Sequence, residues 1–367
     1  MPCRPAISSM SLGRCYAGHD LKHKLFMAAK HGLEGIELFY EDLVGYSKSE
    51  SPADLLAAAT SIRNICSSLG LDIICLQPFM HYEGLTDRTR HQERIQEMKL
   101  WMKLARVLQT DIIQVPSSFL SKDQISPDLI VGDLQEIADL GLQQTPVIRF
   151  AYESLCWGTY VDKWEVCWDI VQRVDRPNFG ICLDSFNILG RIYADPTSDT
   201  RMTPQAQQDV RESVQRLVEQ IKPHREKIFF IQIVDAERLD QPLLPGHPFY
   251  NVEQPSRMSW SRNCRLFYGE SDRGAYLPVK DVANAIIKEI GYEGWVSMEL
   301  FNRVMNQTEE HIVEELAERA ALSWEKLVYD LQLNIGITHD RSRTGEAKVR
   351  NGGNAGHIIA EAELARL

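Results

Sequence analysis

Short apolar runs alternate along this chain with stretches of helical periodicity, and this alternation restricts the possible folds more than any other feature. Five strand-and-helix units precede residue 184, and the second half continues the pattern to eight strands and eight helices. Alternating elements form a parallel sheet covered by helices, and right-handed crossovers close eight of them into a barrel. No G-x-G-x-x-G motif follows a strand-like run to support a doubly wound sheet. We therefore predict an α/β protein with a (β/α)8 TIM barrel.

Several element boundaries follow from the local residues. We expect the first strand at residues 6–12. A helix is expected at residues 203–221, with Thr203 as its N-cap and Pro204 at its first position. The longest insertion follows the seventh strand and covers residues 232–277. Because loops of this length are usually functional or disordered, this one is a candidate for part of a site.

The chain divides into a barrel domain and a polar extension. With 367 residues, of which 44% are hydrophobic, it is long enough for one barrel with insertions. We assign residues 1–336 to this catalytic domain. Residues 337–367 form a polar C-terminal tail with two adjacent glycines and a candidate short helix at residues 358–367. The tail is expected to contribute little to the barrel core, because it lacks a sustained apolar pattern.

Charge and composition exclude several classes of partner. The formal net charge of −11 argues against a nucleic-acid-binding surface. No run approaches the ~18 apolar residues that a membrane span needs, and the N-terminus has no long apolar segment typical of a signal peptide. Eight cysteines occur without a C-x-x-C pair, which favours buried reduced thiols. We expect a cytoplasmic protein with a small-molecule partner; a homo-oligomer is left open.

Four polar residues end apolar, strand-like runs in succession. They are Glu153, Asp184, Gln232 and Glu299. One such residue is often a structural cap or an ion-pair partner, but four at the same end of a parallel barrel indicate ligands that point into its mouth. Three carboxylates and one amide oxygen suit a hard divalent cation, Mg²⁺ or Mn²⁺, with Co²⁺ as a further possibility. The sequence therefore predicts a metal site built by these four residues.

Five short motifs stand at or near the strand ends. They are Tyr-Glu153-Ser, Cys182-Leu-Asp-Ser-Phe-Asn187, Gln232 in Ile-Gln-Ile-Val-Asp-Ala, Arg265-Leu-Phe-Tyr-Gly-Glu270 and Ser297-Met-Glu-Leu-Phe301. These motifs resemble those of the fungal type of 3-dehydroshikimate dehydratase, a family within the sugar-phosphate isomerase/epimerase barrels related to xylose isomerase. The resemblance covers roughly residues 6–335.

The resemblance implies a hydro-lyase that converts 3-dehydroshikimate to protocatechuate with a divalent metal, in quinate and shikimate catabolism. Such a dehydration removes the proton α to the carbonyl, stabilises an enolate and releases the β-hydroxyl. Three carboxylates around a divalent ion would repel the substrate carboxylate, so a cation is expected opposite. Arg265, in the long loop, is the first candidate because arginine forms a bidentate fork with carboxylates. Weaker candidates are Arg262, Arg257 and Arg88.

The general base is not determined by these patterns. His81 and His247 lie in loops expected at the barrel mouth, although surface imidazoles without a catalytic role are common. Glu37 lies at a strand position and is a third candidate. A sugar or sugar-acid isomerase or epimerase on the same barrel is the alternative function, since the metal cage would serve enediolate chemistry equally well. A non-catalytic binding barrel is disfavoured, because a residue able to bind a metal stands at each of the four expected ligand positions.

Overall fold

Eight parallel strands of the computed structural model close into a barrel, in the order β1-β10-β7-β6-β5-β4-β3-β2. The structure describes residues 2–334. Two short antiparallel strands, β8 and β9, form a separate sheet. The strands are β1 (Arg4–Ser8), β2 (Gly35–Phe39), β3 (Asp72–Gln77), β4 (Ile112–Pro116), β5 (Arg149–Glu153), β6 (Phe179–Asp184), β7 (Ile228–Gln232), β8 (Val234–Ala236), β9 (Arg265–Phe267) and β10 (Trp295–Met298). The predicted (β/α)8 barrel is therefore confirmed.

Helices surround the barrel, and most of them bury one face, whereas α7 is buried nearly all round. In α6, the buried residues Trp164, Cys167, Trp168, Val171 and Val174 recur at spacings of three and four, which places them on one side. The helices are α1 (Leu21–Lys30), α2 (Tyr40–Ser47), α3 (Pro52–Leu69), α4 (Arg88–Leu108), α5 (Pro127–Leu142), α6 (Trp164–Val174), α7 (Ser185–Ile192), α8 (Ala206–Ile221), α9 (Ser256–Cys264), α10 (Val279–Asn284) and α11 (His311–Leu331). No helix among residues 2–334 combines the length and apolar character needed to cross a membrane.

The barrel interior is apolar just below its mouth. Ala151, Cys182 and Phe230 belong to a small buried cluster that is distinct from the main core between sheet and helices. Each lies two residues before the polar end of its strand, so it faces the same side as that polar residue. An apolar layer therefore supports the polar side chains at the mouth from below.

Two predicted boundaries are wrong. The first strand ends at Ser8, because the next four residues turn into a 3₁₀ helix in which Ser9 Oγ accepts the Phe39 N–H at 3.0 Å. The helix predicted from residue 203 begins only at Ala206. Thr203 is used elsewhere: its N–H donates to Tyr193 O and its hydroxyl to Ile192 O, both at 2.9 Å, which closes the loop after α7.

The long segment after β7 is ordered into β8, α9 and β9. β8 and β9 pair in antiparallel register, with Ala236 opposite Arg265. The carboxylate of Asp235 accepts the backbone N–H groups of Tyr276 and Leu277 at 3.1 and 2.9 Å, and so fixes the return of the segment. The segment therefore brings its side chains back to the barrel. The polar tail at residues 337–367 lies outside the described residues, and the domain division there stays a prediction.

A buried carboxyl group holds the loop between β3 and α4. Glu83 is fully buried, and its Oε1 accepts the Ser118 N–H at 2.6 Å and the Tyr152 hydroxyl at 3.2 Å. Its Oε2 is also buried and has no hydrogen-bond partner among the described residues. Burial raises the pKa of Glu83 to about 7, more than these hydrogen bonds lower it.

Replacement of Glu83 by Gln should change how stability depends on pH. Because the pKa of Glu83 is raised on folding, the stability it contributes is present below about pH 4.5 and is lost as pH rises through 7. The native protein should therefore lose about 3 kcal/mol of unfolding free energy across this window relative to Glu83→Gln. Urea denaturation from pH 4 to 8 measures this difference. Glu318→Gln, at an exposed position on α11, is the control, and parallel curves for Glu83→Gln and the unmodified chain would refute the assignment.

Candidate metal-binding and active site

Three carboxylates meet at the carboxyl-terminal mouth of the barrel. Glu153 ends β5, Asp184 ends β6 and Glu299 directly follows β10. Each offers one oxygen, and these oxygens lie within 4.8 Å of one another, although all three residues are buried. The fourth predicted ligand, Gln232, is also fully buried, and its register pairs it with Asp184 on one side and Ser297 on the other. The structure thus brings all four predicted ligands together.

Amide side chains hold these carboxylates in place, and the sequence analysis missed them. The Gln114 amide donates to Glu153 Oε2 at 2.6 Å. The Asn187 amide bridges Glu153 Oε1 and Asp184 Oδ2, both at 2.8 Å. Gln114 was visible as a polar residue inside an apolar strand, whereas only its contact reveals the role of Asn187.

The two carboxylate oxygens of Asp184 make different contacts: one caps a helix and the other faces the cluster. Its Oδ1 accepts the Phe186 N–H at 2.7 Å and thereby caps the N-terminus of α7. Its Oδ2 faces the cluster, where it contacts Asn187 and Arg265. α7 had not been predicted, and it places Asn187 in its first turn. The strand end and the following helix therefore position the Asp184 carboxylate jointly.

Arg265 lies inside this cluster. It is 1% exposed, and its Nη1 lies 2.8 Å from Asp184 Oδ2 and 3.2 Å from Glu299 Oε2. Its Nε donates to Ser261 Oγ at 3.1 Å, so none of these contacts uses Nη2. The Phe186 ring lies 4.3 Å from the guanidinium carbon. β9 therefore delivers one positive charge into a group of three negative ones.

The electrostatics of the cluster favour a further cation. Burial raises the pKa of Glu153 well above its usual value, and the charges of Glu299 and Asp184 raise it more, while Arg265 opposes the shift. Burial likewise raises the pKa of Glu299 to about 7 against the effect of Arg265. Three carboxylate groups and one amide oxygen are hard donors of the kind that divalent cations bind in proteins. The residues present therefore fit a divalent metal ion.

Glu37, a predicted candidate base, lies in the barrel interior beside this cluster. It is fully buried, and its Oε2 accepts N–H groups from Gln77 at 2.8 Å and from Gln232 at 2.9 Å. Its Oε1 is buried without a hydrogen-bond partner among the described residues. Gln77 also donates to Glu299 Oε1 at 3.0 Å. Burial raises the pKa of Glu37 well above its usual value, and the charge of Glu299 adds to this.

The two histidine candidates lie in loops and make none of the contacts within the cluster. His81 packs its ring against Phe119, 4.3 Å away, with Nδ1 3.4 Å from Ser118 Oγ. Burial lowers the pKa of His81 to about 4, so its imidazole is neutral at neutral pH and able to accept a proton. His247 Nδ1 accepts the Phe249 N–H at 3.1 Å, which fixes its ring in the long segment.

The remaining arginine candidates do not contact the carboxylate cluster in the described part of the chain. Arg88, in the first turn of α4, forms an ion pair with Asp133 at 2.7 Å. Arg257 donates to the backbone oxygens of Gly190 and Ala194 at 2.8 and 2.9 Å. Arg262 is exposed on α9. Among the predicted arginines, Arg265 alone contacts the carboxylate cluster within the part of the chain that the structure describes.

Comparison with known proteins agrees with this geometry. The chain matches the model of the xylose isomerase-like TIM barrel family over residues 25–322. It is 59% identical over 347 residues to a protein of Neurospora crassa named 3-dehydroshikimate dehydratase, covering 91% of this chain and 96% of the relative. A Pseudomonas aeruginosa protein of the same name is 31% identical over 284 residues, which are 77% of this chain and 36% of that protein.

Solved structures give the same fold. A fusion protein of a xylose isomerase-like TIM barrel and a 4-hydroxyphenylpyruvate dioxygenase superposes with a TM-score of 0.68 at 25% identity, covering 90% of this chain and 44% of that one. An IolI protein with a bound zinc atom superposes with a TM-score of 0.62 at 21% identity, covering 90% and 98% of the two chains.

The family match spans most of the barrel, and the fungal relative aligns over nearly the full length of both chains. The four residues at the mouth lie within the matched region. The chain belongs to the xylose isomerase-like TIM barrel family, in the branch that contains the fungal 3-dehydroshikimate dehydratase.

Proposed function

We propose that this protein is a hydro-lyase that dehydrates 3-dehydroshikimate to protocatechuate, in line with the dehydratase name of the Neurospora crassa relative. The observation that carries the proposal is 59% identity over almost the whole of both chains. The buried carboxylate cluster at the barrel mouth supports it, because it provides a donor set for a divalent metal where barrel enzymes bind their substrates. Mg²⁺, Mn²⁺ and Co²⁺ are the proposed ions.

The side chains at the barrel mouth have different proposed roles in the reaction. Glu153, Asp184, Gln232 and Glu299 would hold the metal, which when bound supplies Lewis-acid polarisation of a carbonyl oxygen. Arg265 offers its Nη2 edge to the substrate carboxylate or to another anionic oxygen, since Nε and Nη1 are engaged. The amides of Gln114 and Asn187 keep the carboxylates oriented during the reaction.

The proton α to the carbonyl needs a base. We propose that one of the predicted candidates, His81, His247 or Glu37, supplies it. The pKa of His81, about 4, leaves its imidazole neutral at neutral pH but makes it a weak base. Substitution of the true base by Gln should lower kcat strongly while Mn²⁺ affinity stays at the level of the unmodified chain. His81→Gln with unchanged kcat would move the role to His247 or Glu37.

A direct assay tests the proposed function. The full chain, loaded with Mn²⁺ or Mg²⁺, is incubated with 3-dehydroshikimate while the ultraviolet spectrum is followed for aromatic protocatechuate. Aromatic product is expected, since loss of water from this ring leads to aromatisation. If no aromatic product forms while the loaded protein isomerises sugars or sugar acids, the dehydratase proposal is wrong and the protein is an isomerase or epimerase.

Metal removal and ligand substitution should have matched effects. Exhaustive chelation should abolish turnover, and added Mg²⁺, Mn²⁺ or Co²⁺ should restore it. Glu153→Gln and Glu299→Gln should each weaken Mn²⁺ binding and remove most activity, because each deletes one of the three negative charges that attract the ion. Titration calorimetry measures the affinity, and far-ultraviolet circular dichroism checks the fold. Glu83→Gln, which removes a buried carboxyl group outside the cluster, is the control. Full activity of the chelated protein would contradict the proposal.

Substitution of Arg265 should separate substrate recognition from metal binding. Arg265→Lys keeps the charge but loses the planar guanidinium, which contacts the cluster through Nη1 and offers Nη2 to the substrate, and Arg265→Ala loses both, so kcat/KM should fall by about 30-fold to 900-fold, equivalent to about 2–4 kcal/mol. Mn²⁺ affinity should not decrease, because the guanidinium occupies the same carboxylate oxygens that would bind the ion.

Arg262→Ala, on the exposed side of α9, is the matched control for this pair of variants. Steady-state kinetics are measured together with bound metal for each protein. A change of less than threefold in both Arg265 variants would exclude the substrate role. A parallel loss of bound metal would instead show that Arg265 stabilises the cluster and does not contact the substrate.

A further inference from the structure

The Nε atom of Arg265 has a partner of a different kind from those of Nη1. Nη1 lies 2.8 Å from Asp184 Oδ2 and 3.2 Å from Glu299 Oε2, so its partners are carboxylates of the cluster. Nε donates to the hydroxyl oxygen of Ser261 at 3.1 Å. Nη2 has no hydrogen-bond partner among the described residues. A neutral acceptor thus holds one side of the guanidinium without adding a negative charge to the cluster.

The other contacts of Arg265 place its backbone and enclose its side chain. Its N–H donates to Phe301 O at 3.0 Å, and its carbonyl oxygen accepts from the Asn302 amide at 2.9 Å. Several rotatable bonds separate these backbone atoms from the guanidinium, so they do not fix its direction. The rings of Phe186 and Phe301 lie 4.3 and 5.0 Å from the guanidinium carbon and do not distinguish its nitrogens. The direction of the guanidinium plane must therefore come from its hydrogen-bond partners.

Ser261 is the partner that distinguishes Nη1 from Nη2. It lies in the last turn of α9 and is 1% exposed, and Arg265 directly follows that helix. Nε carries a single hydrogen in the guanidinium plane, so its acceptor determines how that plane is rotated. Without this acceptor, Nη1 and Nη2 would both be free to turn to the carboxylates and form the fork that arginine favours. The Ser261 hydroxyl therefore keeps Nη2 out of the cluster.

We propose that Ser261 is a positioning residue for substrate binding, because its hydroxyl oxygen holds Nε of Arg265 and so leaves Nη2 available to an anionic oxygen of the substrate. The inference deepens the proposed function and rests on it, since that function assigns Nη2 to the substrate. Ser261 acts through Arg265 alone, because its side chain contacts none of the clustered carboxylates in the part of the chain that the structure describes.

Kinetics of Ser261 variants test this role. In Ser261→Ala, the KM for 3-dehydroshikimate should rise by about 10-fold to 100-fold, the size of effect expected when a hydrogen bond to a charged group is lost. The kcat and the Mn²⁺ affinity should stay within about threefold, because the metal ligands keep their own contacts. Ser261→Thr keeps the hydroxyl and should restore most of the affinity. Ser259→Ala is the matched control, since Ser259 is a buried serine on the same helix whose hydroxyl donates to Gln254.

The same substitution in the Arg265→Lys variant separates positioning from a general structural effect. Lysine has no Nε–H at the place where arginine donates to Ser261. Ser261→Ala should therefore change KM by less than about threefold when Arg265→Lys is also present. An equal rise in KM with and without Arg265→Lys would show that Ser261 supports the fold of α9 and does not act through the guanidinium.

Nuclear magnetic resonance of the full chain tests the hydrogen bond without any turnover. The Nε–H signal of Arg265 is identified by its disappearance in Arg265→Lys. In Ser261→Ala its proton should shift upfield and exchange faster with solvent, whereas Ser261→Thr and Ser259→Ala should leave it in place. An unchanged signal or an unchanged KM in Ser261→Ala would overturn the inference. If the signal responds as expected but the metal-loaded chain does not dehydrate 3-dehydroshikimate, the proposed function is wrong, and Ser261 remains the residue that positions Arg265.

Discussion

Three carboxylates share a buried space at the mouth of the barrel, and the arrangement of the site depends on how their mutual repulsion is offset. Two negative charges no more than 4.8 Å apart repel by at least about 3 kcal/mol at an effective dielectric constant of about 20. Glu153, Asp184 and Glu299 form three such pairs. Arg265 offsets part of this repulsion, and amide donors offset more, but one guanidinium does not balance three anions. A bound divalent cation would complete the balance, which is the physical reason for assigning a metal to this site.

The amides around the cluster act as neutral supports that add no charge. Gln114, Asn187 and Gln77 each donate to at least one of the clustered carboxylates. A lysine at any of these places would also donate, but it would compete with the metal for the carboxylate oxygens. Neutral donors therefore orient the ligands while leaving the negative charge available. Gln232 differs from these supports, because it is itself a proposed ligand, and its amide nitrogen donates to Glu37.

The segment after β7 brings a side chain to the barrel mouth because it is folded. β8, α9 and β9 return the chain to the mouth, where Arg265 opens β9. Phe186 and Phe301 lie 4.3 and 5.0 Å from its guanidinium carbon and separate it from solvent. A cation in this apolar surrounding interacts more strongly with the carboxylates than one in water would. The same burial leaves few of its N–H groups for a substrate, which restricts how an anionic oxygen can approach.

The sequence by itself determined the barrel and the four polar strand-end residues proposed as ligands, because both depend on local patterns. Apolar strand-like runs alternate with helices, and the carboxyl ends of parallel strands meet at one rim. Only the tertiary structure decided how those ligands are held. Gln77 and Glu299 are 222 residues apart in the chain, and Glu37 and Gln232 are 195 apart. The closure of the barrel makes these pairs neighbours, and no local pattern specifies which amide meets which carboxyl group. Local patterns likewise do not show which arginine reaches the site. The fold places Arg265 among the carboxylates, whereas it pairs Arg88 with Asp133.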